Sequence, residues 1–219
     1  QRRGAGQAVD HDSAQRRGKS SANALFGNEA AVLVGDFLFS RSFQLMVEDG
    51  SLDVLRILSN ASAVIAEGEV LQLSLVGNIG MMRADYMAII RAKTAALFAA
   101  ACETGAVVAG ASAEDCAKMR DYGLNLGIAF QISDDTLDYA LTGETLGKDA
   151  GDDFREGKIT LPALIALQAA DDKERAFWQR CFTGETREEK DFAAAQTLMT
   201  RHGVHDAALA EAKKYAQAG

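Results

Sequence analysis

The chain has 219 residues, of which 48% are hydrophobic and 25% are charged, and its formal net charge at pH 7 is −8. This length and apolar content are sufficient for one globular core, while the acidic balance argues against a general nucleic-acid-binding surface. Any phosphate-bearing substrate would therefore have to be held by local cations or by a metal ion.

Three cysteines, Cys102, Cys116 and Cys181, are scattered without C-x-x-C spacing. An odd number of unclustered cysteines is typical of a reducing compartment, so we expect a cytoplasmic protein. The sequence shows neither a signal peptide nor a membrane span, because its longest uninterrupted apolar run, Ala95 to Cys102, is far shorter than the roughly 20 residues that a spanning helix needs.

Helical periodicity runs along most of the chain, and no alternation typical of β-strands is sustained. The predicted helices are residues 23–47, ending near Gly50; a second after the N-cap Ser51, ending before Gly77; a third from Arg83 to Val108; a fourth from Ser112 to about Gly143; a short one opened by Pro162; and two or three more, one of them capped by Thr186-x-x-Glu189 and stopped by Gly203. We therefore predict an all-α chain, a single domain over residues 1–219, whose long helices pack side by side around a central site.

The first of these helices carries an apolar stripe, and we expect it to lie in the core. Such spacing is typical of a helix that buries one face. The stripe consists of Leu25, Phe26, Val32, Leu33, Phe37, Leu38 and Phe43.

Three carboxylates, Asp134, Asp135 and Asp138, interrupt the apolar pattern of the fourth helix between Gly127 and Tyr139. Residues four apart project from one face of a helix and Asp135 lies about 100° around from Asp134, so all three could converge on a cation. Carboxylate oxygens, water and substrate phosphate are the ligands that Mg²⁺ prefers. The alternative is a solvated acidic patch, but the apolar neighbours indicate burial, and a buried acidic cluster needs a counter-charge.

Basic residues elsewhere could supply that counter-charge. Arg16 and Arg17 are adjacent, and paired guanidinium groups suit a diphosphate because each can make a planar two-point contact. An isolated Arg-Arg pair is nevertheless more often a solvated basic spot. Lys93 and Thr94 lie within a helical apolar pattern, where a lysine usually extends to the surface. From these residues alone, both interpretations remain open for each pair.

The sequence over residues 127–162 resembles the second aspartate-rich region of the trans-polyprenyl diphosphate synthases. The likeness extends from about Asp12 to Pro162, and residues 22–73 look especially close to the octaprenyl, nonaprenyl and decaprenyl synthases. The matching elements are Gly127-x-x-Phe130-Gln131-x-x-Asp134-Asp135-x-x-Asp138, Gly147-Lys148-Asp149-Ala150-Gly151-Asp152, Glu156-Gly157-Lys158-Ile159-Thr160-Leu161-Pro162, Arg16-Arg17-Gly18-Lys19 with Asn23, Gly35-Asp36-Phe37-Leu38, and Lys93-Thr94.

The resemblance implies an isoprenoid-synthase-like bundle of long helices around a central cavity, and a homodimer. It also implies a Mg²⁺-dependent prenyltransferase that ionises an allylic diphosphate, condenses it with isopentenyl diphosphate and eliminates a proton. The closeness to long-chain synthases favours a long-chain polyprenyl diphosphate, a precursor of quinone side chains, as the product.

The family's functional residues can be placed on matching positions of this chain. The resemblance implies that Asp134, Asp135 and Asp138 bind metal; that Arg16, Arg17, Lys93, Thr94, Gln131, Lys148 and Lys158 bind substrate diphosphate; that Lys93, Asp134 and Lys148 take part in catalysis; and that Gln72 and Gln131 line the cavity.

Both ends of the chain depart from the family pattern. Family members carry a first His-Asp-Asp-x-x-Asp motif before the Arg-Arg-Gly, and Ala8 to Gln15 do not reproduce its spacing. An upstream Gly-Lys-Arg segment that helps to hold isopentenyl diphosphate is also missing, and further helix is expected after Gly219. We therefore expect that residues of the protein are omitted here around Asp10 to Asp12 and at both ends.

Two alternatives remain. A non-catalytic subunit that holds a catalytic partner would explain the missing first motif, but it would have no physical need for an acidic cluster that faces lysines. A terpene cyclase would use the same ionisation, but the Arg-Arg-Gly and Lys-Thr elements favour chain elongation.

Overall fold

The structure is a computed structural model that describes residues 15–16, 19–20, 22–140, 150–184 and 187–219. Apart from one antiparallel pair of two-residue strands, in which Gln15 lies opposite Ser20, the described residues form helices and turns. The elements are β1 (Gln15–Arg16), β2 (Lys19–Ser20), α1 (Ala22–Phe26), α2 (Asn28–Asp49), α3 (Leu52–Leu75), α4 (Arg83–Ile90), a π-helical segment (Arg91–Ala95), α5 (Ala96–Val108), α6 (Ala113–Ala140), α7 (Asp152–Arg155), α8 (Leu161–Ala169), α9 (Asp172–Thr183), α10 (Glu189–Arg201) and α11 (Val204–Ala218). The predicted all-α fold class is confirmed.

Local sequence signals determine where the long helices begin. Ser51 accepts the backbone N–H of Val54 at 3.3 Å and caps α3, and Ser112 accepts the N–H of Asp115 at 3.1 Å at the start of α6. Both predicted caps are confirmed, because each hydroxyl satisfies an amide that has no partner within its helix. Pro162 lies in the first turn of α8, as predicted.

Two predicted helix boundaries are wrong. The predicted helix over residues 23–47 is divided into α1 and α2 by Gly27, whose φ is +82° and interrupts the helical path. The predicted capping residue Thr186 lies outside the described residues, and the N-cap of α10 is Glu188. The backbone N–H of Glu188 donates to the Asp191 carboxylate at 3.0 Å, so the reciprocal cap starts two residues later than predicted.

The main hydrophobic core lies in the C-terminal half of the chain and is organised around α6. This helix packs against α5 on one side and α11 on another, while α8, α9 and α10 close the core beyond it. Its largest buried side chains are Trp178, Tyr86, Tyr139, Phe154 and Phe182, each at most 2% exposed. The fully buried part of α6 thereby fixes the helix face that carries the acidic cluster.

Helix α2 does not lie in this core, and the prediction that it does is wrong. None of its residues is buried, and Leu33 and Phe37 are 67% and 66% exposed. Helical periodicity shows that a helix has an apolar face, but it does not show which molecule covers that face. Within the described residues, α2 is also the helix whose length and composition would allow it to cross a membrane, a property that a search for uninterrupted apolar runs overlooks.

Candidate functional site

Four helices (α3, α4, α6 and α7), the π-helical segment and the loop that follows α7 enclose one pocket beside the acidic cluster. Its apolar wall comes from the end of α3 and from α4, and its polar wall from side chains that the sequence mostly places far apart. The polar and charged residues that line it are Gln72, Tyr86, Lys93, Thr94, Gln131, Asp135, Asp153, Lys158 and Thr160.

Lys93 reaches this pocket from the π-helical segment. Its Nζ donates to Gln72 Oε1 of α3 at 2.7 Å and lies 3.1 Å from Glu69 Oε1. The side chain retains about a third of its exposure, so it is neither buried nor freely solvated. A lysine held at its Nζ in this way presents a fixed positive charge to a ligand in the pocket.

Thr94, the next residue, points to α6 and begins a chain of hydrogen bonds. Its hydroxyl donates to Gln131 Oε1 at 2.7 Å, and Gln131 Nε2 donates to Asp135 Oδ1 at 2.7 Å. The other oxygen of Asp135, Oδ2, accepts the hydroxyl of Tyr86 at 2.7 Å. Asp135 therefore uses both oxygens inside the protein and links three elements of the site.

The charge of this carboxylate is costly where it lies. Burial raises the pKa of Asp135 to about 6, although the hydrogen bonds from Tyr86 and Gln131 favour the ionised form. Burial also raises the pKa of Asp153 well above its ordinary value, and the charges of Asp135 and Asp138 add to this effect. Ionisation of one carboxylate makes ionisation of its neighbours less favourable, and a cation bound nearby would stabilise the ionised forms.

The three predicted metal ligands occupy different environments. Asp134 is exposed and has no hydrogen-bonded partner among the described residues. Asp138 accepts the backbone N–H groups of Gly151 and Asp153 at 3.2 and 3.1 Å, and so anchors the start of α7. Within the described part of the chain, no group of three or more histidine, cysteine or acidic side chains is placed to hold a metal ion by itself. Their joint assignment as metal ligands therefore stays a prediction.

Lys158 enters the pocket from the loop after α7. It forms ion pairs with Glu156 and, at 4.0 Å, with Asp153. Burial alone would lower the pKa of Lys158, but the hydrogen bond and charge of Glu156 and the charge of Asp153 raise it above its ordinary value. The structure thus places a second cation at the pocket, and the predicted role of Lys158 in binding diphosphate stays a prediction.

The remaining predicted residues are outside what the structure describes. Arg17 and Lys148 lie among the undescribed residues, and only the backbone of Arg16, in β1, is described. Their assignment to the diphosphate site stays a prediction.

Sequence reasoning missed two members of the site, Tyr86 and Asp153. Tyr86 is 2% exposed and has the helical spacing of a core residue, and its partner Asp135 is 49 residues away. Asp153 follows Asp152 in α7, within a stretch where the sequence pattern predicts no helix. Its position five residues before Lys158 was the available signal, since a buried acid near a lysine indicates a pair.

A second groove lies between α3 and α5. Its aliphatic lining consists of Val64, Ala61 and Ile57 of α3 and Ala96 and Ala100 of α5, and its polar lining of Arg56, Asn60, Glu103 and Arg120. Its volume is about 240 Å³, and α3 contributes residues to both this groove and the pocket. A polar, cationic pocket suits the charged head of a ligand, and the aliphatic part of the groove suits a hydrocarbon tail.

Comparison with known proteins finds relatives along most of the chain. The model of the family described as polyprenyl synthetase matches residues 9–199. The octaprenyl diphosphate synthase of Escherichia coli (strain K12) is 53% identical over 159 residues, covering 73% of this chain and 49% of that protein. The octaprenyl diphosphate synthase of Haemophilus influenzae is 44% identical over 210 residues, covering 95% of this chain and 63% of that protein.

A solved structure has the same architecture. It is that of a polyprenyl synthase from Caulobacter crescentus CB15 complexed with calcium and isoprenyl diphosphate, with 52% sequence identity and a TM-score of 0.90, and the match covers 94% of this chain and 62% of that chain. The present chain thus spans between about half and two thirds of the length of these three proteins.

Proposed function

Because this chain belongs to the polyprenyl synthetase family, we propose that it carries out the prenyl transfer of a long-chain polyprenyl diphosphate synthase. Its substrates are an allylic prenyl diphosphate and isopentenyl diphosphate. The product is a long-chain polyprenyl diphosphate of the kind that supplies quinone side chains. The high identity to octaprenyl diphosphate synthases supports this product class.

The observation that carries the proposal is the convergence of Lys93, Thr94, Gln131 and Lys158 on one pocket. These side chains come from three separate parts of the sequence. A diphosphate needs several fixed donors and cations, which this pocket provides. We assign the prenyl chain to the groove between α3 and α5, whose aliphatic side chains suit it.

The chemistry of the acidic side chains fits Mg²⁺. One or two carboxylates together with substrate phosphate oxygens form its usual ligand set, and the exposed carboxylate of Asp134 is available for that purpose. We assign Asp134 as the principal ligand, with Asp138 one turn further along α6 and Asp135 turned towards the pocket. When bound, Mg²⁺ neutralises negative charge on the diphosphate and makes it a better leaving group.

The protein's own residues contribute at each stage of the transfer. Lys93 and Lys158 stabilise the negative charge that grows on the diphosphate oxygens as the allylic C–O bond breaks. Ile89 and Ile90 of the pocket wall exclude water from the resulting allylic cation, so the double bond of isopentenyl diphosphate attacks it and the new C–C bond forms. The proton then lost from the adjacent carbon passes to the released diphosphate.

Arg16, Arg17 and Lys148 complete the proposed diphosphate site. Paired arginines and a third lysine would add the cations that two diphosphate groups require beyond Lys93 and Lys158. Lys148 is assigned a catalytic role with Lys93 and Asp134, on the basis of the family motif alone.

We also propose that the protein is a homodimer that pairs through α2. Exposed apolar side chains, among them Val32, Leu33, Phe37 and Leu38, occur on more than one side of this helix. Asp36 and Arg41 lie within its length, and charges at the centre of a helix are costly in lipid. A second copy of the chain can cover the apolar residues and leave these charges at the rim.

The cellular compartment is a separate proposal. The free cysteines support a reducing compartment, which we take to be the cytoplasm.

The test of the activity is an assay of purified protein with farnesyl diphosphate, labelled isopentenyl diphosphate and Mg²⁺, with and without a chelator. We expect chelator-sensitive prenyl products, which chromatography separates by chain length.

Lys93→Ala is expected to lower the rate at least about 100-fold, because it removes a positive charge that stabilises the leaving diphosphate. Lys118→Ala is the matched control, since Lys118 is an exposed lysine of α6 that pairs only with neighbours on its own helix.

Two results would contradict the proposal. One is the absence of any product from folded wild-type protein, which would favour a non-catalytic subunit. The other is a Lys93→Ala variant that is as active as Lys118→Ala, which would mean that the pocket does not take part in the reaction.

A further inference from the structure

Lys93 and Thr94 are neighbours in the sequence, yet they engage two different helices. Both lie in the π-helical segment Arg91–Ala95, where the wider turn inserts one extra residue into an otherwise α-helical path. Lys93 is bonded to Gln72 of α3 and Thr94 to Gln131 of α6. The segment therefore has to occupy a definite place between these two helices for both side chains to reach the pocket.

On the α3 side, Gly68 determines how closely the segment can approach. A Cβ atom added at Gly68 would lie 2.7 Å from the Cβ of Ala92 and 2.9 Å from the backbone nitrogen of Lys93. Separations below 3.0 Å require something to move, and here one of the obstructing atoms belongs to the backbone. Only glycine permits this distance between α3 and the segment.

On the α6 side, Gly127 has the same role. A Cβ atom added there would lie 2.6 Å from the Cα of Ala95 and 3.0 Å from its Cβ. Gly127 and Ala95 are both buried. The π-helical segment is therefore held between two helices, each of which meets its backbone through a residue without a side chain.

The two glycines stand in the same relation to the two hydrogen-bond acceptors. Gln72 follows Gly68 by four residues on α3, and Gln131 follows Gly127 by four residues on α6. Residues four apart share one helix face. Each helix thus presents a glycine to the backbone of the segment and, one turn further on, a glutamine to the side chain that emerges from it.

We propose that Gly68 and Gly127 are positioning residues that hold the π-helical segment, so that Lys93 and Thr94 both reach the diphosphate site. The inference rests on the proposed function in so far as that function makes Lys93 and Thr94 the groups that bind diphosphate. A methyl group at either glycine pushes the segment away from its helix and separates one of the two side chains from its glutamine.

The primary test measures binding of inorganic diphosphate with Mg²⁺ by titration calorimetry. Gly68→Ala and Gly127→Ala are each expected to weaken binding about tenfold or more, since a displaced side chain loses a hydrogen bond to a charged ligand. Gly105→Ala is the matched control, because Gly105 lies in α5 and a Cβ there meets nothing within 4 Å. It is expected to bind as the wild type does.

Double-mutant cycles distinguish positioning from a general loss of structure. In a Lys93→Ala background, Gly68→Ala is expected to cause little further loss, and Gly127→Ala likewise in a Thr94→Val background. If each pair of effects is instead additive in folded protein, the glycines contribute only to stability and the proposal is overturned.

A compensating variant provides a second, independent test. Ala92→Gly removes the methyl group that lies 2.7 Å from a Cβ at position 68, while the backbone nitrogen of Lys93 at 2.9 Å remains. It should therefore restore part of the diphosphate binding lost in Gly68→Ala, and it should not help Gly127→Ala. If Gly68→Ala fails to fold, this double variant and the Gly127→Ala cycle take its place. Absence of restoration in the folded double variant, together with an additive Gly127→Ala cycle, overturns the proposal.

The binding assay also separates this inference from the proposed reaction. Non-additive cycles in a protein that forms no prenyl product would overturn the reaction and support the positioning role. Additive cycles in an active enzyme would do the reverse, and a wild type that does not bind diphosphate would overturn both.

Discussion

Asp135 lies between the proposed metal ligands and the proposed diphosphate-binding residues. Its carboxylate accepts the hydroxyl of Tyr86 and the amide of Gln131, and that amide in turn accepts the hydroxyl of Thr94. Burial and the charge of Asp135 raise the pKa of Tyr86, so its hydroxyl keeps its proton and remains a donor. A substitution at Tyr86 therefore removes a hydrogen bond from Asp135, which is only 5% exposed and cannot readily replace it with water.

We predict that Tyr86→Phe lowers the free energy of unfolding of the metal-free protein by about 1 to 3 kcal/mol at pH 7, because a buried ionised carboxylate loses a donor. The loss should be smaller at pH 4, where Asp135 is protonated. Urea titrations at both pH values measure it. Tyr122→Phe is the control, since this tyrosine of α6 is 42% exposed.

The sign of this pH dependence follows from the direction of the pKa. The pKa of Asp135 in the folded protein, about 6, lies above the ordinary aspartate value of 3.8, so the folded state holds the proton more tightly. The contribution of this group to stability is then greatest below about pH 4 and is lost as the pH rises through about 6. Because the hydrogen bond from Tyr86 favours the ionised form, Tyr86→Phe enlarges that loss. If Tyr86→Phe lowers the free energy of unfolding equally at pH 4 and pH 7, the loss comes from the packing of the ring and not from the hydrogen bond to Asp135.

Residues of the site could be predicted where their chemistry is unusual for their surroundings. Lys93, Asp135 and Lys158 stand out as charges in apolar or glycine-rich segments. Tyr86 does not, because a tyrosine in a helical stripe is a common core residue and its role depends on a contact across 49 positions. The sequence pattern also gives no reason why Asp135 turns inward while its neighbour Asp134 faces solvent.

At the scale of elements, α3 and α5 form the second groove. Val64 of this groove lies one turn from Gly68 along α3, and Gly68 packs against the segment that carries Lys93. Since these helices run side by side, successive turns lie at increasing distance from the proposed diphosphate site. A growing prenyl chain in this groove would meet successive turns of the two helices in order.

We predict that Val64→Trp shortens the product. Val64 is half-buried and lines the groove, so a larger side chain there obstructs the path without replacing a fully buried core residue. Products are compared by chain length after incubation with labelled isopentenyl diphosphate. The matched control is Ala63→Trp, an exposed neighbour on the same helix.

The result separates two possibilities for the hydrocarbon chain. Shorter products from Val64→Trp with retained early condensations would place the chain between α3 and α5. Unchanged length from a folded Val64→Trp variant would mean that the chain takes another path.

The ends of these elements could be predicted, but their internal geometry could not. The helix predicted from Arg83 to Val108 begins and ends at those residues, because its apolar pattern begins and ends there. The π-helical segment within it was not predicted, since one additional residue barely changes the periodicity of a helix of this length. Its position depends on Gly68 and Gly127, which belong to other helices.

At the scale of the whole molecule, α2 stands apart from a core that α6, α8, α9 and α11 complete without it. Its apolar sequence predicted burial, and the described chain does not provide it. An apolar helix with no cover inside its own chain is unstable in water unless another surface removes it from solvent. The whole-molecule organisation is thus the part that one chain's sequence could not determine.

We predict that the wild-type protein is a dimer in solution and that the double variant Leu33→Asp with Phe37→Asp is a monomer. These two residues lie four apart on one face of α2 and are 67% and 66% exposed, so two buried carboxylates would oppose each other across the proposed interface. Light scattering after size-exclusion chromatography measures the mass. Leu209→Asp is the control, because Leu209 is a 44% exposed apolar residue of α11, away from α2.

The same preparations distinguish a second copy from a lipid surface as the cover for α2. Protein pairing would be supported if the wild type is a dimer that does not float with vesicles. The double variant should then be monomeric, less stable to heat, and should also not float with vesicles. A monomeric wild type that floats with vesicles, and a double variant that does not, would contradict it. The residues that line the pocket belong to one chain, so a monomer retains all of them. If a monomeric variant has weak activity, we expect the cause to be less support of α3 by α2, because α3 carries Gly68 and Gln72.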